Sequence, residues 1–357
     1  MTADVRLELA SVASCADVAS VEPAGKRRRW LVAPWFDLLL VANVAWPLLL
    51  LVQWNDGFEG RAGLQFWQVY YATTPHRWVT LLIVFLDRER FSARKSAFLA
   101  IAALVTAVCV GIRLAAGALT CLLAVDYLWN AWHFAAQHHG IYRIYCRLNC
   151  SMPQRAVVWE KLFLRAFLLY VIARVALAAW SEVAWQTRLQ TLDWIAAAVA
   201  LALLFNNFTL NARGGWSSTA YLASVCTLYL SLLWAVHAGR PDLVLSLTTA
   251  SALFHAVEYL AVVSWSVAKR NSAAPSRLGP SRLGMLGYLA PRWGLVLGLF
   301  IVALGSAGWL LDQHLMNGWL LLNVIAAFLH YAYDGLIWRQ RPGSTAAATL
   351  TTARIGR

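Results

Sequence analysis

The chain has 357 residues, 60% hydrophobic and 13% charged, with 19 tryptophans and a net charge of +13. Soluble domains are about 45–50% apolar and about 25% charged, so the composition excludes an ordinary soluble fold and predicts a polytopic membrane protein. The positive charge then reads as the basic content of cytoplasmic loops and not as a nucleic-acid interface.

The first 29 residues mix Asp4, Arg6, Glu8, Asp17 and Glu22 without an apolar core, which predicts a disordered cytoplasmic tail and no secretory signal. Lys26, Arg27, Arg28 and Arg29 precede a first span at about 31–53 and set the amino terminus inside. A second span follows at about 64–86, and the basic segment DRERFSARK, 87–95, returns the chain to the cytoplasm. Spans three and four are predicted at about 97–117 and 119–140. Span five, at about 160–180, carries Glu160, Lys161, Arg165 and Arg174, a pattern shared by crossing and interfacial helices. Spans six to eight fall at about 193–210, 218–238 and 243–268. A Pro, Gly, Ser and Arg-rich loop, 269–292, leads to spans nine and ten at about 293–311 and 316–338, and 340–357 form a cytoplasmic tail.

The expected fold is therefore an all-α transmembrane bundle of about ten helices in one domain, 30–339, with both termini cytoplasmic. Of the 30 Lys and Arg residues, only Arg61, Arg188 and Arg240 fall in the predicted outer loops, which favours a true crossing by span five. The six cysteines form no CxxC pair, so neither a disulfide framework nor a zinc site is expected.

Ionisable side chains at membrane depth cost about 2.5–3.5 kcal/mol each and mark function. His76, His133, His138, His139, His255 and His330 all fall on helices predicted to run from outside to inside. His76 precedes the inner-loop Asp87 by 11 residues, His133 precedes Arg143 by 10, His255 precedes Lys269 by 14, and His330 precedes Arg339 by 9. At about 1.5 Å per residue, these depths agree to about 8 Å. Asp126, Asn130, His133 and Gln137 draw one stripe along span four; His255 with Glu258, and Asn323, His330 and Asp334, do so on spans eight and ten. Such stripes must face the bundle interior.

Imidazole suits iron, copper and zinc, and carboxylates on facing helices complete metal sites in bundle cores. The six histidines are the candidate ligands for one or two ions, with one of His138 and His139 facing the site. Glu258 and Asp334 are candidate ligands or catalytic proton-transfer groups, and Asp126, Asn130 and Gln137 candidate partners of the far imidazole nitrogens. His237 and His314 are expected near the outer surface.

The segment WHFAAQHHG, 132–140, and the single histidines on other spans loosely resemble the multi-pass membrane non-haem iron oxygenases. Among these, fatty-acid desaturases carry HxxxH and HxxHH boxes where this chain has HxxxxHH. Brp/Blh-type carotenoid-cleaving enzymes, with single histidines on membrane helices, are nearer in architecture. The resemblance implies non-haem iron, O2, a lipid or isoprenoid substrate and a cytoplasmic electron donor. No HExxH, P-loop or GxSxG motif occurs. The expectation is an inner-membrane, metal-dependent oxidoreductase; a b-type haem protein and a proton-coupled transporter use the same buried residues in other ways.

Overall fold

A computed structural model describes residues 30–55, 57, 61–149, 154–180, 189–211, 216–273 and 284–338. The predicted tails, 1–29 and 340–357, lie outside the described residues, as do Cys15, Cys150 and the middle of the basic loop, 274–283. Among the described residues every regular element is helical.

Helices α1 (Pro34–Val41) and α2 (Trp46–Asn55) form a pair bent by 53°. The break holds Asn43 at φ 45°, a left-handed conformation that Asn tolerates, and its amide donates to the Leu40 carbonyl at 3.0 Å. The buried Asp37 anchors the pair, accepting from the backbone of Leu31 at 2.6 Å and Val32 at 3.1 Å, and from the Tyr145 hydroxyl at 2.9 Å.

The next helix, α3, has three parts: Arg61–Trp67, a π-helical segment Gln68–Thr73, and Thr74–Leu86. Pro75 explains the wide turn, because proline brings no N–H and its ring collides with the carbonyl four residues back. After α3 come a short α4 (Arg88–Ala93) and α5 (Lys95–Ala116), which stops at Gly117 with φ 66°. Then follow α6 (Thr120–Asn149), α7 (Gln154–Trp180), α8 (Gln190–Asn211), α9 (Trp216–His237), α10 (Pro241–Ala273), α11 (Met285–Leu289) and α12 (Trp293–Ile337).

Among the described residues six helical segments are long and apolar enough to cross a membrane: those of α5, α7, α8, α9 and α10, and the stretch Met285–Ile337; the bent α1–α2 pair makes a seventh. The 30-residue α6 is long enough but not among them, because its polar stripe and paired histidines dilute its apolar content.

The last helix is a hairpin. Leu315 leaves helical geometry at φ −138° and ψ 42°. Gly308 packs directly on the Trp319 indole, where a Cβ would sit 2.5 Å from Cζ2. Eleven residues of straight helix would separate them by about 16 Å, so the chain reverses. Both arms line α3 in opposite directions. On the first arm Trp293 packs near Ile83, and Ser306 meets Tyr71. On the second, Asn323 accepts from Trp78 at 3.1 Å and Leu329 and Tyr333 pack near Val84.

The helices that carry the histidines run side by side in one direction. Along α3 and α10, His76 faces His255, Thr80 meets Tyr259 and Asp87 pairs with Arg270. Along α6 and the second arm of α12, Leu122 packs near Val324, and His133 meets His330. Asp87, itself fully buried, ties the ends together by accepting on Oδ1 from the Arg90 backbone at 3.1 Å and from Arg270 Nη2 at 3.2 Å.

Candidate metal centre

Four imidazoles from four helical segments close into a ring. His76 lies 5.1 Å from His255 and 5.0 Å from His330, and His133 lies 5.2 Å from His255 and 4.7 Å from His330, centroid to centroid. With metal–nitrogen distances of about 2.0–2.1 Å, imidazole centroids sit about 3.2 Å from an ion, so adjacent ligands fall about 4.5–5.2 Å apart in square or tetrahedral sets. The observed spacings match that range without rearrangement.

The hydrogen bonds decide which nitrogens are free. His76 Nδ1 lies 2.5 Å from the Thr73 carbonyl, which can only accept, so Nδ1 carries the proton and Nε2 keeps its lone pair. His330 reaches the same state through a chain. The Tyr259 hydroxyl donates to Asp334 Oδ1 at 2.5 Å, so at 2.6 Å Thr80 must donate to Tyr259. Thr80 Oγ1, its proton spent, accepts from His330 Nδ1 at 2.6 Å. His330 Nε2 is left bare, 3.1 Å from His133 Nε2. That distance suits an N–H···N bond, and it also suits two ligands of one ion, whose edge is about 2.9–3.4 Å. A carbonyl or carboxylate behind each ring is how metal-binding histidines are oriented.

Among the described residues the buried imidazole nitrogens without a hydrogen-bond partner are His76 Nε2, His138 Nε2, both nitrogens of His255 and, away from the donor groups, His139 Nε2. Each unsatisfied polar group costs about 1–3 kcal/mol. The four of His76, His138 and His255 together cost about as much as the whole stability of a typical domain, about 5–15 kcal/mol. A cation in the His76–His255–His330 group would take up His76 Nε2 and one nitrogen of His255.

Among the described residues three donor groups meet the spacing of a metal site, each with atoms within 4.8 Å of one another: His76, His255 and His330; His133, His330 and Asp334; and His138, His255 and Glu258. Asp334 Oδ2 is 3.9 Å from His133 Nε2 while its Oδ1 holds Tyr259. On the other side His138 Nδ1 lies 3.0 Å from the Tyr221 hydroxyl and 3.3 Å from Glu258 Oε2.

Other sequence candidates lie apart. His139 is buried but joins none of the three groups; its charged neighbours are Arg165, Arg143 and Lys161. Of the adjacent pair it is therefore His138 that faces the centre. Asp126 and Asn130 bond no imidazole: both accept from the Tyr331 hydroxyl, at 2.9 and 3.0 Å, and Asp126 lies 3.6 Å from Arg77. Gln137 likewise bonds no ring and donates to Glu258 Oε2 at 2.7 Å and the His255 carbonyl at 3.1 Å. His237 pairs with Asp193 at 3.0 Å, and His314 is exposed.

Thr80, Tyr259, Tyr221 and Tyr331 were not singled out by sequence. Thr80 and Tyr259 each follow a site histidine by four residues, one helical turn on, which is a usable signal. Tyr221 had none. Comparison with family models, curated proteins and solved structures finds no match to this chain.

Proposed function

We propose that this chain is an integral-membrane, metal-dependent oxidoreductase that uses non-haem iron and O2 on a lipid or isoprenoid substrate. The carrying observation is the buried donor group of His76, His255 and His330, with the lone pairs of His76 and His330 free, which His330 joins to His133 and Asp334. Asp334 supplies the carboxylate, and a set of histidines with one carboxylate suits iron among the common metals. When bound, the iron supplies the redox chemistry with O2, and electrons come from a cytoplasmic donor.

The chain's own residues hold and orient. The His330–Thr80–Tyr259–Asp334 chain fixes a tautomer, and His76 is fixed by the Thr73 carbonyl. Asp334 Oδ2, 3.9 Å from His133 Nε2, is placed to share an ion with that nitrogen and with His330. Apolar side chains such as Leu128 and Trp132 lie exposed on α6 beside His133, a surface that suits sideways arrival of a lipid from the bilayer. In the proposed topology about ten helices cross the inner membrane, both termini are cytoplasmic and the centre lies in the inner half.

Haem fits the His133–His330 pair less well. A macrocycle between His133 and His330 needs their nitrogens about 4 Å apart on opposite sides of an iron, whereas they approach to 3.1 Å. A proton-coupled transporter remains the second reading, favoured by the hydrogen-bonded chain from His330 to Asp334, which has the form of a relay. The two separate on iron content and on O2 uptake. Detergent-purified protein loaded with Fe(II) without oxygen is expected to consume O2 with membrane lipid extract and a chemical reductant. His133→Ala and His330→Ala should abolish this and lose the iron; retention of full iron content in both variants contradicts the proposal.

A further inference from the structure

His255 is placed unlike the other imidazoles. It belongs to two donor groups, with His76 and His330 on one side and with His138 and Glu258 on the other. Its ring stacks on Phe134, centroids 3.8 Å apart and planes 20° apart, which fixes the ring plane. The residue is fully buried, yet neither nitrogen has a hydrogen-bond partner. His330 is also shared by two groups, but Thr80 occupies its Nδ1, so it has one nitrogen to give.

The second group is built like the first. His138 Nδ1 lies 3.3 Å from Glu258 Oε2, a separation that suits two ligands of one ion, and its Nε2 is buried and unpartnered. Glu258 is held in turn by the Tyr221 hydroxyl on Oε1 and by Gln137 on Oε2 at 2.7 Å. Gln137 Oε1 is a further buried oxygen without a donor.

We infer that His255 bridges two metal ions. One ion sits in the four-histidine layer of the proposed function, on which this inference rests, and a second sits on His138, Glu258 and the other nitrogen of His255. A neutral imidazole has a single lone pair, so the bridge forms by loss of the remaining N–H proton to water as the second ion binds. No electron is transferred in that step. The negative charges of the resulting imidazolate, Glu258 and Asp334 partly balance two divalent ions.

Metal stoichiometry and spin coupling test the bridge on the full chain in detergent. Fe(II)-loaded wild type is expected to hold two ions per chain, and His138→Ala and the near-isosteric Glu258→Gln one each, with helical circular dichroism unchanged. Cu(II)-loaded wild type should show a spin-coupled pair at low temperature, and His138→Ala an isolated Cu(II) signal. One ion per wild-type chain, undiminished in His138→Ala, overturns the bridge and leaves the proposed function standing. Two magnetically isolated ions also overturn it. No ion in wild type overturns both.

Discussion

The Nε2 atoms of His133 and His330 lie 3.1 Å apart although 197 residues separate them along the chain. The contact exists because α6 and the second arm of α12 run in the same direction, with Leu122 and Val324 in one apolar cluster on one side of it and Asp334 beyond it. Around this pair the other candidate ligands and their supports are arranged, and each can be tested separately.

Thr80 is a positioning residue, acting only through His330 and Tyr259. Thr80→Val keeps the shape and breaks the chain, so metal affinity should fall about 10- to 100-fold, the usual effect of losing a partner behind a ligand. Thr80→Ser should restore it. Competition with a chelator measures both, and equal affinity in Val and wild type would remove the tautomer argument.

The two adjacent histidines of α6 should behave oppositely. His138 faces Glu258 and Tyr221, whereas His139 belongs to no donor group. Metal analysis should find His139→Ala unchanged from wild type and His138→Ala depleted. The reverse pattern would place the centre on the wrong face of the helix.

How far the sequence reached is visible at these positions. Counting residues to the basic inner loops assigned His76, His133, His255 and His330 a common depth, and their rings meet at 4.7–5.2 Å. Depth is set by helical rise and loop charge, both local and readable. Direction around the helix axis is set by packing with distant neighbours, so the choice between His138 and His139 stayed open. The same limit led Asp126 and Asn130 to be expected on imidazoles when they hold Tyr331. The π-helical turn before His76 changes the angular spacing of α3 in a way a regular period does not register.

The hairpin of α12 makes a stability prediction. A Cβ on Gly305 would meet the Tyr71 ring at 2.7 Å and the Tyr70 backbone oxygen at 2.8 Å. Backbone cannot move aside cheaply, so Gly305→Ala should destabilise by about 1–3 kcal/mol. A lowered thermal midpoint in detergent is the expected outcome. An unchanged midpoint would mean that the first arm does not pack on α3 so closely.

Arg174 and Asp193 hold α7 to α8 away from the centre, both nearly inaccessible, with Nε to Oδ1 at 2.7 Å and Nη2 to Oδ2 at 2.9 Å. Removing one partner of a buried pair costs about 3–5 kcal/mol, and Arg174→Ala should fall near the low end because Tyr170 and His237 still bond Asp193. Metal content should not change. Loss of metal along with stability would tie this cluster to the centre.

The central claim is that these histidines hold iron. Metal analysis with an optical spectrum on the detergent-purified full chain tests it most directly. At least one iron per chain, no Soret band, and loss of iron in His133→Ala and His330→Ala are the expected results. A wild-type protein without stoichiometric metal, or one whose iron survives both substitutions, would contradict it.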